Sequence, residues 1–220
     1  MDIKEAIRER HSVRQYKEDP IPQDMRDRLN AIIDDCNKES GLKIQLVCDE
    51  KECFDTLVAH YGKFTNANNY IALIGRKDMK NLSELCGYYG QKIVLEAQMM
   101  GLNTCWVAGS YGKSKVKASK TGEDKIVCVI SIGFGATSGK VRRSKPLDKL
   151  TDVAEADRPD WFREGLEAAS LAPTAVNQQR FLISLKGGEA VAKAPIGFLT
   201  KVDLGIVKYN FEAGSGHKCK

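Results

Sequence analysis

Apolar residues recur along the chain in two rhythms, and the switches between them mark out its elements. Ile3, Ala6 and Ile7 share one face of a short helix over residues 2 to 10, which Asp2 can cap. From Pro22, suited to a first helical turn, Met25, Leu29, Ile32, Ile33 and Cys36 keep helical spacing into a polar tail that Gly41 closes. The period then drops to two: Leu42, Ile44, Leu46 and Cys48 alternate with Lys43, Gln45 and Val47, which predicts a strand. Cys53, Phe54, Leu57 and Val58 suggest a short helix ahead of the linker Asn66-Ala67-Asn68-Asn69. Tyr70 to Ile74 is apolar throughout and stops at Gly75, as an interior strand does. A long helix follows from Asn81 to Met100. Leu82, Leu85, Tyr89, Ile93, Ala97 and Met100 line its buried face, and Gly101 serves as a left-handed terminator. Thr104 to Val107 is the next strand, broken at Gly109, and Ile126 to Ile132 is a central strand leading into Gly133-Phe134-Gly135.

Beyond residue 138 the order starts again. A helix over residues 160–171 carries Trp161, Leu166, Ala168 and Ala169. A strand over 180–185, a short helical stretch over 189–193, a strand over 196–199 and a helix over 204–213 come next. This matches the order of residues 22 to 101. Residues 46–52 align with 183–189, and residues 71–78 with 196–203. The offset between the matches shrinks along the chain, so an approximate internal repeat, 1–138 and 139–220, would be an old duplication with deletions and not a solenoid array. The competing explanation is that mixed helix-and-strand proteins repeat such elements anyway.

Composition narrows the class. With 220 residues, 42% of them hydrophobic and 29% charged, the chain can bury a substantial core as one domain or as two packed halves. Its net charge of +5 is spread along the sequence apart from Lys140-Val141-Arg142-Arg143-Ser144-Lys145. A small anionic ligand fits that distribution better than a nucleic-acid groove, because no long basic and aromatic array is present. Seven cysteines, an odd number without a CxxC pair, sit mostly in apolar periodic segments and read as buried thiols of a reducing cytosol. The three histidines lack metal-ligand spacing. No signal peptide or membrane-length apolar run is recognisable, so a cytoplasmic location is expected.

Two stretches carry chemistry. Arg10-His11-Ser12-Val13-Arg14 packs three basic or potentially basic side chains and a hydroxyl into five residues behind a helix, a donor set suited to a phosphate; a solvated basic loop is the plainer reading. Ala172-Pro173-Thr174-Ala175-Val176-Asn177-Gln178-Gln179 interrupts a helix at Pro173 and offers a hydroxyl, backbone groups and amides to the polar edge of a planar heterocycle. A capped turn into a strand explains it equally well. No GxGxxG or Walker pattern opens a helix, which leaves a dinucleotide fold or an NTPase without support. Cys105 could be a redox thiol, though a buried strand cysteine is the commoner case.

The run from Ile7 through Tyr16 to Pro20-Ile21-Pro22 resembles the N-terminal signature of the FMN-dependent nitroreductase family. Residues 172–179 resemble that family's Ala-Pro-Ser-x-x-Asn-x-Gln element, which lies over the isoalloxazine from the neighbouring subunit. Ordinary members carry this element after the first long helix; here its counterpart, Asn37-Lys38-Glu39-Ser40-Gly41, has lost it. The arrangement resembles the small single-chain nitroreductases of anaerobic and thermophilic microbes, over nearly the whole chain. It implies an α+β fold, a three-layer α/β/α sandwich whose two intertwined halves form a pseudo-dimer within one unit of residues 1–220. It implies FMN held by Arg10, His11, Ser12 and Arg14 and by Pro173, Thr174, Ala175 and Asn177. The backbone of Ala108 and Gly109 would reach the flavin N5 and O4, and Lys140, Arg142 and Arg143 would add cations to the phosphate, unless that basic run is merely solvated. The implied activity is ping-pong hydride transfer from NAD(P)H through flavin N5 to nitro compounds, quinones or similar small electrophiles, with no side chain as general acid. The implied protein is a monomer with one intact site, a homodimer being the alternative. Rival readings are a flavin sensor or carrier without turnover, a branch doing other flavin chemistry, and an anion-binding module.

Overall fold

The structure, a computed structural model, describes all 220 residues, a mixture of helices and antiparallel sheet. The elements run α1 (Ile3–Glu9), α2 (Gln23–Ser40), β1 (Gln45–Val47), α3 (Leu57–Tyr61), β2 (Tyr70–Arg76), α4 (Leu82–Met99), β3 (Asn103–Val107), β4 (Asp124–Gly133), α5 (Asp160–Ser170), β5 (Leu182–Lys186), β6 (Glu189–Lys193) and α6 (Thr200–Ser215). They fall into two compact units that the chain enters by turns: residues 10–82 with 96–140, and residues 1–9, 83–95 and 141–220. No helix is long and apolar enough to cross a membrane.

The first unit is built on an antiparallel sheet in the order β1-β2-β4-β3. The uniformly apolar run of β2 is buried from Tyr70 to Gly75, as its interior position requires. β4 pairs β2 from Tyr70↔Ser131 to Arg76↔Asp124, with a register shift between Leu73 and Ile74. On its other side β4 pairs β3 from Asn103↔Gly133 to Val107↔Val129. α2 buries Leu29, Ile33 and Cys36 and ends in left-handed Gly41 at φ 72°, whose N–H donates to Asn37 O at 2.8 Å. Leu42 and Ile44 are buried ahead of β1, so the predicted strand shortens to three residues. Cys53 and Phe54 pack into the core before α3 begins, while Leu57 and Val58, on α3 itself, are exposed.

The second unit is mostly helix packed on a small hairpin. α4 and α6 approach so closely that only glycine fits: a Cβ on Gly87 would lie 2.0 Å from Val202 O, and one on Gly205 2.0 Å from Glu84 O. Polar pairs tie the two helices, with Lys208 Nζ on Glu84 Oε1 at 2.6 Å and Gln91 Nε2 donating to Asn210 Oδ1 at 2.9 Å. Asn210 Nδ2 in turn donates to Ala168 O of α5 at 2.9 Å. Against α5, Phe211 meets Phe162 edge-on at 5.7 Å and packs where Gly165 leaves room. α4 is buried on more than its predicted stripe: Cys86, Gly87, Gly90, Gln91, Val94 and Leu95 join Ile93, while Leu85 and Tyr89 are only half-buried.

Two expected elements of the C-terminal segment are corrected. Residues 189–193 form β6, not a helix. Gly187 and Gly188, at φ 59° and 80°, make a tight turn that pairs Lys186 with Glu189, and the alternation of buried Ala190 and Ala192 follows. The helix propensity of alanine and glutamate yields to the hairpin. Residues 196–199 are a bend and turn, not a strand. Pro195 and Gly197 interrupt them, and Ile196 is fully exposed. The alignment of residues 71–78 with 196–203 therefore sets a strand against a turn. Both hairpin edges carry single parallel bridges, Thr151↔Ile183 on β5 and Ala190↔Cys219 on β6.

Candidate functional site

In the first unit, Arg10 to Arg14 follow immediately after α1 and run along the outer edge of β3. Ser12 bridges Thr104 in parallel, and Val13 N donates to Thr104 O at 3.0 Å. The loop is fixed on its other sides too: Thr65 N donates to Arg14 O at 3.0 Å, Tyr16 N to Thr65 O at 3.0 Å and Ala136 N to Gln15 O at 2.9 Å. Beneath it the buried Tyr16 hydroxyl donates to Val13 O at 2.7 Å and lies 2.7 Å from Ser131 Oγ. Burial pushes the Tyr16 phenol well above its ordinary pKa, so it stays a neutral donor. Arg10 is buried, His11, Ser12 and Arg14 are half-buried, and the Arg14 guanidinium sits 6.0 Å from the Phe64 ring centroid. Phe64 and Thr65 also line a hollow of about 270 Å³ with Lys51, Phe54, His60 and Asn66.

Three more predicted positions belong to the same unit. β3 runs out at Val107, leaving Ala108 half-buried and Gly109 exposed, with nothing within 4 Å of where a Gly109 Cβ would be. Gly139, left-handed at φ 79°, comes so close that a Cβ would lie 2.7 Å from His11 Cβ and 3.1 Å from Ser12 O. Exposed Lys140 follows Gly139 in the chain.

The remaining predicted residues belong to the second unit. α5 ends at Ser170, and the strip from Ala172 to Gln179 turns with three non-glycine residues in the left-handed region: Val176 at φ 44°, Asn177 at 56° and Gln179 at 43°. A β-branched residue there is strained. Thr174 is buried, and its hydroxyl oxygen accepts from Gln179 N at 3.0 Å; Pro173, Ala175 and Asn177 are half-buried. Asn177 Nδ2 donates to Arg143 O at 3.1 Å, which leaves its amide the oxygen and one N–H for a ligand. The side chains of Arg142 and Arg143 are exposed.

Sequence reasoning missed the residues that shape this strip. Gln179 Nε2 donates to Ser170 O at 2.7 Å, and Gln179 Oε1 accepts from Lys145 N at 2.7 Å. Lys145 Nζ donates to the carbonyls of Gln178 and Gln179, each at 2.9 Å. Asp203 accepts from Ala175 N at 2.9 Å and from Gln178 Nε2 at 2.7 Å. Burial raises the Asp203 carboxyl pKa, partly offset by those two N–H donors. Paired glutamines after an Asn were the available signal; an acidic residue in a helix's first turn reads as ordinary.

A family profile described as "Putative TM nitroreductase" matches residues 2–215. Among solved structures, a "putative nitroreductase" from Thermotoga maritima superposes at a TM-score of 0.71 with 23% identity, covering 97% of this chain and 83% of that one. A "Putative NADH dehydrogenase/NAD(P)H nitroreductase" from Parabacteroides distasonis matches at 0.52, with 20% identity over 67% of this chain and 95% of the other. A "putative nitroreductase in complex with FMN" from Desulfovibrio desulfuricans matches at 0.50, with 20% identity over 67% and 93%. At these identities the likeness is one of fold. No curated protein matches the sequence. The profile spans nearly the whole chain, and the protein belongs to this nitroreductase family.

Proposed function

We propose that the protein binds FMN and works as an NAD(P)H-dependent oxidoreductase on nitro compounds, quinones or similar small electrophiles. The observation that carries this reading is the anchored loop of residues 10–14 along β3, which sets Arg10, Ser12 and Arg14 within five residues on backbone fixed at Thr104 and Thr65 and closely approached by Gly139 at His11 and Ser12. The donor set fits the cofactor. Arg10, Ser12 and Arg14 suit the phosphate and ribityl chain, with His11 and Lys140 adding donors, and the N–H groups of Ala108 and Gly109 suit an acceptor edge. Thr174 retains a proton to donate and Asn177 an oxygen to accept, which suits the alternating pyrimidine edge; Pro173 and Ala175 flank them, and Arg142 and Arg143 add positive charge.

Bound FMN would supply two-electron chemistry, accepting hydride from the nicotinamide at N5 and passing it to the acceptor. This chain's own part is to bind and orient. The guanidinium groups favour an anionic ligand, and the neutral Tyr16 hydroxyl holds Val13 without adding charge. Reduction of bound flavin by NADH or NADPH under anaerobic conditions tests turnover; a flavin that stays oxidised with both donors leaves a carrier or sensor.

The duplication is part of the same proposal. α2-β1-α3-β2-α4 and α5-β5-β6-α6 each set an antiparallel strand pair between two helices, the second run without a counterpart of α3, which supports two related halves and hence a monomer with one site. A cytoplasmic location belongs to this reading as well.

A further inference from the structure

Asp203 lies in the first turn of α6, only 3% exposed, with both carboxylate oxygens committed to the strip of residues 172–179. Oδ1 takes the Ala175 N–H, and Oδ2 takes the Gln178 amide, whose nitrogen also donates to Phe198 O at 2.9 Å. A carboxylate suits this place because it accepts two donors from different directions and brings none of its own to be left unpaired. Burying it is costly unless something is gained.

What it holds is a strained turn. Val176 is left-handed and 83% exposed, so packing does not keep it there. The polar tethers on either side of it do: Asp203 on Ala175 and Gln178, Lys145 on the carbonyls of Gln178 and Gln179, and Arg143 O on Asn177. Thr174 and Asn177 both lie within this tethered stretch. We propose that Asp203 is a positioning residue, holding residues 174–178 in the turn that carries the flavin-contacting Thr174 and Asn177. The inference rests on the FMN reading above.

The test uses the full chain with FMN as probe and compares wild type, Asp203→Asn and Asp203→Ala. Asparagine keeps an oxygen for Ala175 N–H but sets an NH₂ against the Gln178 amide; Gln178 cannot turn over without facing Phe198 O with its own oxygen. Amide hydrogen exchange without FMN reports the turn itself, and residues 174–178 should exchange faster in Asp203→Asn while α5 and α6 keep their protection. With FMN saturating, the flavin's reduction potential should shift, and FMN affinity should fall about tenfold. Faster exchange with unchanged affinity and potential would make Asp203 a structural residue only and overturn the proposal. Unchanged exchange in folded Asp203→Asn would overturn it as well. Should Asp203→Ala fail to fold, Asp203→Asn and Gln178→Ala, which removes the second tether from the surface side, decide the matter by the same readouts. A wild-type chain that binds no FMN would fail the flavin reading itself, and the positioning role would fall with it; the apo exchange data separate that failure from failure of the tether.

Discussion

The loop that carries Arg10 and Arg14 is tied to Thr104 at Val13 and to Thr65 at Arg14, so little ordering remains to be done when an anion arrives. Replacing Arg10 by Ala removes a charge-assisted contact of about 1.5–3 kcal/mol, or about tenfold to a hundredfold in FMN affinity. Titration calorimetry on the folded variant measures this; wild-type affinity would move the phosphate elsewhere. A second residue-scale expectation concerns pH. Asp124, with its side chain 1% exposed, accepts from Lys43 Nζ at 2.8 Å and from Thr121 N at 2.8 Å, and the Lys43 ammonium first, then the Thr121 N–H, hold its pKa down to about 2. Its folded value lies below the ordinary 3.8, so the native state releases this proton more readily than the unfolded chain does. The stabilisation is present above the ordinary value and is lost as pH falls toward about 2. Urea midpoints should therefore drop across that acid window in the wild type, and more shallowly in Asp124→Asn.

Helix α4 is where element-scale packing is tightest. Gly87 and Gly205 let the α4 and α6 backbones cross with no side chain between them, and a methyl on either would strike a carbonyl oxygen. Gly87→Ala should cost at least about 2 kcal/mol, because backbone and not a flexible side chain must yield. Denaturant unfolding checks this, and a cost near zero would mean the crossing is looser than described. The same helix shows what a periodicity can and cannot carry. Its length and its left-handed stop at Gly101, φ 84°, were legible from apolar spacing and one glycine. Its burial on several faces was not, because Gly87, Gly90 and Gln91 do not read as apolar. The 189–193 segment failed for a different reason: five residues are too few to separate helix from strand, and the Gly187-Gly188 turn decided it. At the site, the cluster and the strip were legible by residue type, but the tethers from Asp203 and Lys145 arise from residues distant in sequence and carry no local pattern.

For the whole molecule, two compact units are assembled from a chain that enters each more than once, and the family profile spans 2–215 without a break. If the two halves of the chain, 1–138 and 139–220, descend from one, a single chain should suffice for activity. Light scattering at micromolar concentration should then give the mass of one chain; a stable dimer with one flavin per chain would remove the monomer claim and leave the duplication standing. The functional reading depends on flavin. The most direct measurement is the visible spectrum of purified protein incubated with excess FMN and passed through a desalting column. The account predicts a yellow protein that retains about one FMN per chain, and loses that retention in Arg10→Ala. A colourless, folded wild-type protein would contradict it.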